Sequence, residues 1–234
     1  MNVIITGASR GIGKAVAEAY AAEGATLFLS SKNEGSLSAA VTEIGAKYPG
    51  VKIYFRAADL SIKEEAIALG NWCLSIAVPD ILVNNAGNFV GGNVYNEPAG
   101  SLEEMINTNL YSAYHLTRSL LPAMMKDRNV ARHIFNICSI ASLNAYPNGG
   151  AYSISKFALA GFSKNLRDEL KPHGIKVTAV YPGAVMTDSW RGFDNSQGRI
   201  MEAHDIAAMI LAASKLSPQA VVEDIILRPQ LGDL

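Results

Sequence analysis

A tyrosine and a lysine stand four positions apart, as Tyr152 and Lys156, near the start of a run of small and apolar residues at helical spacing. Side chains four residues apart lie on one face of a helix, about one turn apart, so we expect these two to point the same way. An adjacent ammonium group lowers the pKa of a phenol from its usual value of about 10 towards neutrality. The pair therefore predicts a phenol that exchanges a proton with an alcohol oxygen, although ordinary solvated helices also contain this spacing.

The composition excludes several classes of protein. The 234-residue chain is 49% hydrophobic and 18% charged with a net charge of −1, so it is not a disordered chain and has no basic surface for nucleic acid or anionic membranes. No apolar run is long enough to span a bilayer, and a strand begins at Val3 without a charged leader, so we expect neither a membrane helix nor a signal peptide. Cys73 and Cys138 lack CxxC or zinc spacing and the four histidines are scattered, which predicts no metal site and a cytoplasmic protein.

Short apolar strands alternate with helical segments along the chain, without a linker or a repeat. We predict strands over 3–5, 25–30, 51–57, 81–83, 132–138, 175–180 and 221–227, and helices over 11–23, 34–47, 62–76, 101–126, 151–170 and 204–215. Continuous Val, Ile and Leu runs are typical of parallel strands covered on both faces. We therefore expect an α/β, Rossmann-type doubly wound fold with a seven-stranded, mostly parallel sheet, and a ligand at the carboxyl ends of its strands.

A glycine-rich turn joins the first strand to its helix, with the sequence Thr6-Gly7-Ala8-Ser9-Arg10-Gly11-Ile12-Gly13. Gly7 permits a tight turn, Gly11 lets a pyrophosphate approach, and Gly13 lets the helix pack on the strand. The spacing is GxxxGxG rather than GxGxxG, yet its place between strand and helix favours dinucleotide binding over simple turn formation. The same residues match the GxSxG elbow of hydrolases, but Ser9 has no preceding loop for an oxyanion hole and no histidine stands out as a base.

The residues after the second strand predict the choice of dinucleotide. About twenty residues beyond the glycine turn, where an acid would hold the ribose of NAD, the chain reads Ser30-Ser31-Lys32-Asn33 and the first acid is Glu34. Lys32 and Arg10 offer two cations to a 2′-phosphate, although Lys32 is also compatible with a solvated loop. The sequence therefore predicts NADP(H) rather than NAD(H).

Seven motifs in the same order resemble the short-chain dehydrogenase/reductase family, in its shorter branch, over almost the whole chain. They are the glycine turn, Asp59-Leu60, Asn84-Asn85-Ala86-Gly87, Asn109, Ser139, Tyr152 with Lys156, and Pro182-Gly183. The resemblance implies one NAD(P)-binding domain over residues 1–234, with a substrate flap at about 188–203. Within the family, the segment 182–190 and the tail 222–229 look most like bacterial sepiapterin-reductase-like members.

The resemblance also implies a role for each site residue. Tyr152 is the expected general acid, Ser139 hydrogen-bonds the substrate oxygen, and Lys156 lowers the phenol pKa and holds the nicotinamide ribose. Asn109 bends its helix and positions a water that relays protons. Asp59 and Leu60 are expected to touch the adenine, and Thr187 the carboxamide. The full set of expected cofactor contacts is Gly7, Ser9, Arg10, Gly11, Ile12, Gly13, Ser31, Lys32, Asn33, Asp59, Leu60, Asn85, Ala86, Gly87, Tyr152, Lys156, Pro182, Gly183, Val185 and Thr187.

The function that the resemblance implies is NADPH-dependent reduction of a small ketone or dicarbonyl. The short, polar segment 188–203 favours a compact substrate over a long acyl chain. Two alternatives stay open: a 3-oxoacyl-thioester reductase, and a catalytically silent NADP-binding regulator. The predicted helices over 101–126 and 152–170 carry apolar residues on more than one face, so we expect a homodimer or homotetramer.

Overall fold

Seven parallel strands form the centre of the protein, as a computed structural model that describes residues 1–187, 190 and 192–232 reveals. The strands are β1 (Asn2–Thr6), β2 (Thr26–Ser31), β3 (Ile53–Ala57), β4 (Ile81–Asn84), β5 (Arg132–Ile137), β6 (Ile175–Pro182) and β7 (Asp224–Leu227). Their order in the sheet is β3-β2-β1-β4-β5-β6-β7, and every neighbouring pair is parallel. The predicted fold class is confirmed, and the sheet is parallel throughout rather than mostly so.

Helices cover both faces of this sheet. They are α1 (Gly11–Ala22), α2 (Glu34–Lys47), α3 (Lys63–Leu74), α4 (Ser101–Ile106), α5 (Ser112–Met124), α6 (Gly150–Leu170) and α7 (Ala203–Ser214). On one face α1, α2 and α7 pack with Val3 and Ile5 of β1, and on the other α3, α5 and α6 pack with Ile4 of the same strand. Because neighbouring residues of a strand point to opposite faces, burial on both faces requires the continuous apolar runs seen in the sequence. Among the described residues, no helix is both long and apolar enough to cross a membrane.

The order of the strands reverses between β1 and β4, and side-chain hydrogen bonds join the two loops that leave these strands. Thr6 Oγ1 accepts hydrogen bonds from the backbone N–H groups of Asn85 and Ala86, both at 2.9 Å. Asn85 Nδ2 in turn donates to the carbonyl oxygens of Thr6, at 2.9 Å, and of Gly7, at 3.1 Å. In an open parallel sheet this reversal creates the crevice in which ligands bind. These bonds therefore hold the floor of that crevice together.

The long helix predicted over 101–126 is interrupted. One π-helical turn, Asn107–Tyr111, separates α4 from α5. Such turns insert an extra residue into a helix and occur frequently at functional sites. Here the insertion carries Asn109, whose amide is buried against the loop after β4. The other boundaries differ from prediction by a few residues at most, as is usual where element ends fray.

A buried network of polar side chains fixes α5 and α6 to the middle of the sheet. Asn84 Nδ2 donates to Asn136 Oδ1 at 2.8 Å and to Thr117 Oγ1 at 3.0 Å. Asn136 Nδ2 donates to Ser163 Oγ on α6 at 2.9 Å. Buried hydrogen bonds of this kind are directional and costly to leave unmade, so they set the register of helices on the sheet. Through this network β4 and β5 set the position of the helix that carries Tyr152.

Candidate active site

A cavity of about 1000 Å³ runs across the carboxyl ends of the strands. Lys32 and Asp59, beyond β2 and β3, line one end, and Tyr152 and Trp190 line the other. Its volume is at the upper end of the about 300–1,000 Å³ range of ligand pockets, which suits a long ligand and a small second one. Three residues of the predicted flap, Asp188, Ser189 and Arg191, lie outside the described residues.

The glycine turn forms a cradle between these two ends. Gly7 has a φ of +63°, a conformation that side chains disfavour, and a Cβ on Gly13 would lie 2.3 Å from the carbonyl oxygen of Gly7. Within the described residues 10–22, no side chain caps the start of α1 and no acid lies in its first turn. Backbone N–H groups at the start of a helix attract anions. The cradle therefore fits the diphosphate of a dinucleotide.

Ser139, Tyr152 and Lys156 come together at the far end of the cavity. Ser139 follows β5, and its hydroxyl oxygen accepts a hydrogen bond from the backbone N–H of Ala141 at 3.1 Å. The Ser139 hydroxyl lies close enough to the Tyr152 phenol to lower its pKa. Lys156 Nζ lies 5.8 Å from the centre of the Tyr152 ring and donates to the carbonyl oxygen of Ile137 at 2.8 Å. Two hydroxyl groups and one ammonium group thus converge where a carbonyl oxygen can bind.

The pKa of the Tyr152 phenol departs from the sequence-based prediction. Burial raises this pKa, and the Ser139 hydroxyl lowers it by less. Burial also lowers the pKa of Lys156 to about 8. Lys156 was expected to lower the phenol pKa, and the structure corrects this because desolvation disfavours the phenolate. The phenol is consequently protonated at neutral pH, in the form that donates a proton.

Asn109 lies behind the cavity wall rather than in it. Its Oδ1 accepts a hydrogen bond from the backbone N–H of Asn88 at 2.7 Å. Its Nδ2 donates to the carbonyl oxygen of Asn88 at 3.0 Å and to Ser155 Oγ at 2.9 Å. A Cβ on Gly87 would lie 3.0 Å from Asn109 Oδ1 and 3.5 Å from Lys156 Nζ. Only a glycine at position 87 leaves this space between the amide and the ammonium group open.

At the other end of the cavity, Lys32 is not simply a solvated lysine. Its Nζ lies 2.7 Å from Asp59 Oδ2, although 77% of its side chain is exposed. The hydrogen bond with Asp59 is the main cause that raises the pKa of Lys32. Burial tends to raise the pKa of Asp59, but the hydrogen bonds from Lys32 and Ser61 outweigh it and the net pKa is lowered. Ser9 and Ser31 complete this end, with their hydroxyl oxygens 3.0 Å apart.

The structure offers little to the hydrolase alternative. The Ser9 hydroxyl is bonded to Ser31, and no histidine lies among the described residues that line the cavity. In the part of the chain that the structure describes, no group of three or more His, Cys, Asp or Glu side chains is arranged to hold a metal ion.

Comparison with known proteins identifies the family. The model of the short chain dehydrogenase family matches residues 1–198. The chain belongs to the short-chain dehydrogenase family. Its members are oxidoreductases, and this short-chain dehydrogenase is an NAD(P)-dependent enzyme of that kind.

Three relatives illustrate the range of similarity. A sepiapterin reductase of Chlorobaculum tepidum is 32% identical over 99% of this chain and 97% of its own. A 3-oxoacyl-acyl-carrier-protein reductase of Vibrio harveyi is 30% identical over 93% of this chain and 90% of its own. The crystal structure of a metagenomic short-chain oxidoreductase in complex with NADP is 31% identical, covers 98% of this chain and 97% of its own, and superimposes with a TM-score of 0.84.

The cavity of this dehydrogenase brings most of the predicted site residues together. All of the expected cofactor contacts line it except Gly13 and Asn33. Gly13 lies beneath the cradle against Gly7, which is the packing role predicted for it. Asn33 instead caps α2, where its Oδ1 accepts a hydrogen bond from the backbone N–H of Ser36 at 2.9 Å. Asn109 also lies outside the lining, since its amide acts from behind through Asn88.

Several cavity residues have no signal in the sequence motifs. The Phe89 ring meets the Tyr152 ring edge to face, with centroids 4.9 Å apart and an angle of 89°. Asn144, Tyr146 and Trp190 complete this end of the dehydrogenase's cavity. They lie in the loops after β4 and β5 and in the predicted flap. Arg228 also lines the cavity, and its position directly after the last strand was the available signal.

Proposed function

We propose that the protein reduces the carbonyl group of a small ketone or dicarbonyl with NADPH, with Tyr152 as general acid, and oxidises the corresponding alcohol in reverse. The observation that carries this proposal is the convergence of Tyr152, Ser139 and Lys156 at one end of a cavity whose middle is an anion cradle. A proton donor beside a dinucleotide site is what carbonyl reduction requires.

The proposed mechanism divides the work between the chain's own groups. When bound, NADPH supplies a hydride to the carbonyl carbon. Ser139 and Tyr152 donate hydrogen bonds to the carbonyl oxygen, and the Tyr152 hydroxyl then transfers its proton to it. Burial keeps this phenol protonated at neutral pH, so it enters the reaction in the form that reduction needs. Lys156 would hold the nicotinamide ribose and return a proton to Tyr152. Asn109, which binds Asn88 beside Gly87, would position the water that relays protons to Lys156.

Preference for NADPH over NADH follows from the charges at the β2 end of the cavity. Lys32 and Arg10 both line this end, and the first acid after β2 is Glu34, so no carboxylate takes the place that binds the ribose hydroxyls of NAD. The Asp59 carboxylate already binds Lys32, so a 2′-phosphate would share the Lys32 ammonium group with Asp59. The NADP complex of the metagenomic relative supports the same choice.

The aromatic wall of the cavity supports a compact, planar substrate. Phe89, Tyr146 and Trp190 supply flat apolar surfaces beside Tyr152, and Asn88 and Asn144 add amides that orient polar edges. We propose a small dicarbonyl or a ketone on the side chain of a planar ring. The similarity to a sepiapterin reductase supports this class.

Reduction of a 3-oxoacyl thioester is the second candidate, and the similarity to the Vibrio harveyi reductase favours it. The hydrogen bonds at the base of the flap, between residues 184–186 and Met201, favour the smaller substrate. Met186 N–H donates to the carbonyl oxygen of Met201 at 2.8 Å, and Met201 N–H donates to that of Ala184 at 3.1 Å. This closed base leaves a short loop with little surface for a long acyl chain. A silent regulator is disfavoured because all four residues of the predicted catalytic set are present.

A homodimer or homotetramer is our proposal for the assembly. Tyr111, Ile154 and Phe157 expose 44%, 43% and 45% of their surfaces on the outer side of the π-helical turn and α6. Ile154 and Phe157 lie three residues apart on α6, and exposed large apolar side chains that share a helix face are typical of subunit contacts. We also propose a cytoplasmic location, which the two buried and unbonded cysteines, Cys73 and Cys138, support.

Replacement of the phenol tests the reaction. Tyr152→Phe keeps the ring but removes the proton donor, so we expect kcat to fall by about 10²–10⁴-fold while NADPH affinity stays nearly unchanged. Lys156→Ala should lower both kcat and the affinity for NADPH. NADPH consumption across a panel of ketones and dicarbonyls measures this, with Tyr181→Phe, a buried tyrosine outside the cavity, as control. A Tyr152→Phe enzyme that keeps more than about a tenth of wild-type activity contradicts the mechanism.

Titration of both cofactors tests the charge assignment. We expect the wild type to bind NADPH roughly tenfold or more tightly than NADH, because charge-assisted hydrogen bonds hold the 2′-phosphate. Ser31→Asp with Lys32→Ala should reverse the order, since a carboxylate accepts from a ribose hydroxyl and repels a phosphate. Lys47→Ala, which removes a surface lysine bound to Glu18, is the control. Equal affinities in the wild type would remove Lys32 and Arg10 from the site.

The choice between the two substrate classes is a comparison of kcat/KM. We expect a small diketone to be reduced at least as efficiently as an acetoacetyl thioester, because the flap offers a long acyl arm little contact. The same enzyme preparation and NADPH concentration serve both assays. A hundredfold preference for the thioester, equal to about 2.7 kcal/mol of transition-state binding, would assign the protein to the second candidate.

Sedimentation at micromolar concentration tests the assembly. We expect the wild type to sediment as a dimer or tetramer, because burial of Tyr111, Ile154 and Phe157 removes apolar surface from water. Phe157→Glu should shift the protein towards the monomer by placing a charge in the contact. Lys164→Glu, a charge change at an exposed position of the same helix, is the control. A wild type that sediments only as a monomer would refute the proposal.

A further inference from the structure

We propose that Glu97 is a positioning residue, whose carboxylate caps the start of α6 from the loop after β4 and so fixes Tyr152 relative to that loop. The inference rests on the proposed role of Tyr152 and adds a residue far from it in sequence. Glu97 Oε2 accepts a hydrogen bond from the backbone N–H of Ala151 at 3.0 Å, across 54 positions of the chain. Ala151 is buried and directly precedes Tyr152.

The start of α6 has no cap of its own. Gly149 occupies the N-cap position without a side-chain hydrogen bond, and among the described residues of the first turn none is acidic. A helix start leaves backbone N–H groups unpaired, and a carboxylate that accepts from them stabilises the first turn. Glu97 therefore supplies, from another loop, the hydrogen-bond acceptor that most helices take from their own N-cap residue.

Two further features adapt the chain to this contact. Gly150 has a φ of +29°, and a Cβ there would lie 2.5 Å from Glu97 Oε2 and 2.4 Å from the carbonyl oxygen of Gly92. Any side chain at position 150 would thus push the carboxylate off the helix. Asn148 has a φ of +60°, and its backbone is held on both sides: its N–H donates to Asn93 Oδ1 at 3.2 Å, and its carbonyl accepts from Gly92 N–H at 3.0 Å.

These contacts join the two segments that border the predicted proton donor. The loop held by Glu97 begins at Asn88 and Phe89, and the Phe89 ring packs against Tyr152. The same loop, through Glu97, holds the residue before Tyr152. A proton donor displaced by about 1 Å can lose on the order of a hundredfold in rate. We therefore expect an anchor at the residue next to Tyr152 to affect kcat. Neither Glu97 nor Ala151 lines the cavity that contains the glycine cradle, so we expect the affinity for the dinucleotide to change little.

Two substitutions separate the hydrogen bond from other effects. Glu97→Ala removes the acceptor, and Glu97→Gln keeps an oxygen that accepts from Ala151 N–H. Asp80→Ala is the matched control, because Asp80 Oδ2 also anchors a distant backbone N–H, that of Asn2 at 2.7 Å, and does not line the cavity. For each variant we would measure kcat, KM, the Kd for NADPH, and hydrogen exchange of the peptide over residues 149–156.

We expect Glu97→Ala to lower kcat about tenfold to a hundredfold with the Kd for NADPH unchanged, and to speed exchange of the 149–156 peptide roughly tenfold. Glu97→Gln should keep kcat and the exchange rate of the 149–156 peptide close to the wild-type values. Asp80→Ala should change neither of these two quantities. Faster exchange without loss of kcat would overturn the positioning role, and unchanged exchange would overturn the anchor itself.

The exchange measurement needs no turnover, so it separates the two proposals. If the wild type reduces no carbonyl compound while Glu97→Ala speeds exchange and Glu97→Gln reverses this, the proposed reaction fails and the anchor stands. If the wild type is active and Glu97→Ala keeps kcat within about twofold, the reaction stands and the role of Glu97 fails.

Discussion

The side-chain amide of Asn109 holds together the three segments that form the centre of the site. It bonds both backbone groups of Asn88 and also Ser155 on α6, while its own helix makes a π-helical turn to bring it there. A buried amide with all of these partners is directional, and its loss would leave several buried groups unpaired. The loop after β4, the interrupted helix and the helix of Tyr152 are thereby held in one arrangement.

Burial decides the protonation states on which the proposed reaction depends. It raises the pKa of Tyr152 and lowers that of Lys156 to about 8, so the two values, which are ordinarily close together, move apart. Around neutral pH the phenol keeps its proton and the lysine remains largely charged. As the pH rises through about 8, Lys156 loses its proton first, so the relay that recharges Tyr152 weakens before the phenol itself ionises. At neutral pH the phenol is therefore in the form that the proposed reduction needs.

The sequence predicts the fold and the cofactor half of the site better than the substrate half, for a physical reason. Continuous apolar strands and the glycine turn are local patterns, and parallel strands bring their carboxyl ends to one edge. The Lys32–Asp59 pair and the Phe89–Tyr152 contact join residues far apart in sequence, and no spacing encodes them. The phenol pKa was predicted with the wrong sign because helical spacing gives the distance to a cation but not the cost of burial.

The predicted catalytic residues and the proposed substrate walls lie on different elements of the fold. Ser139 and Lys156 are fixed by β5 and α6, which the buried Asn84–Asn136–Ser163 network binds to the sheet. The proposed substrate walls lie on the loops after β4 and β5, which are hydrogen-bonded to each other from Gly92 N–H to the carbonyl oxygen of Asn148. Glu97 joins the two parts directly, since its carboxylate belongs to the loop after β4 and caps α6. A change of loop that removes it alters the substrate wall and the proton donor together, which constrains how this cavity can be remodelled.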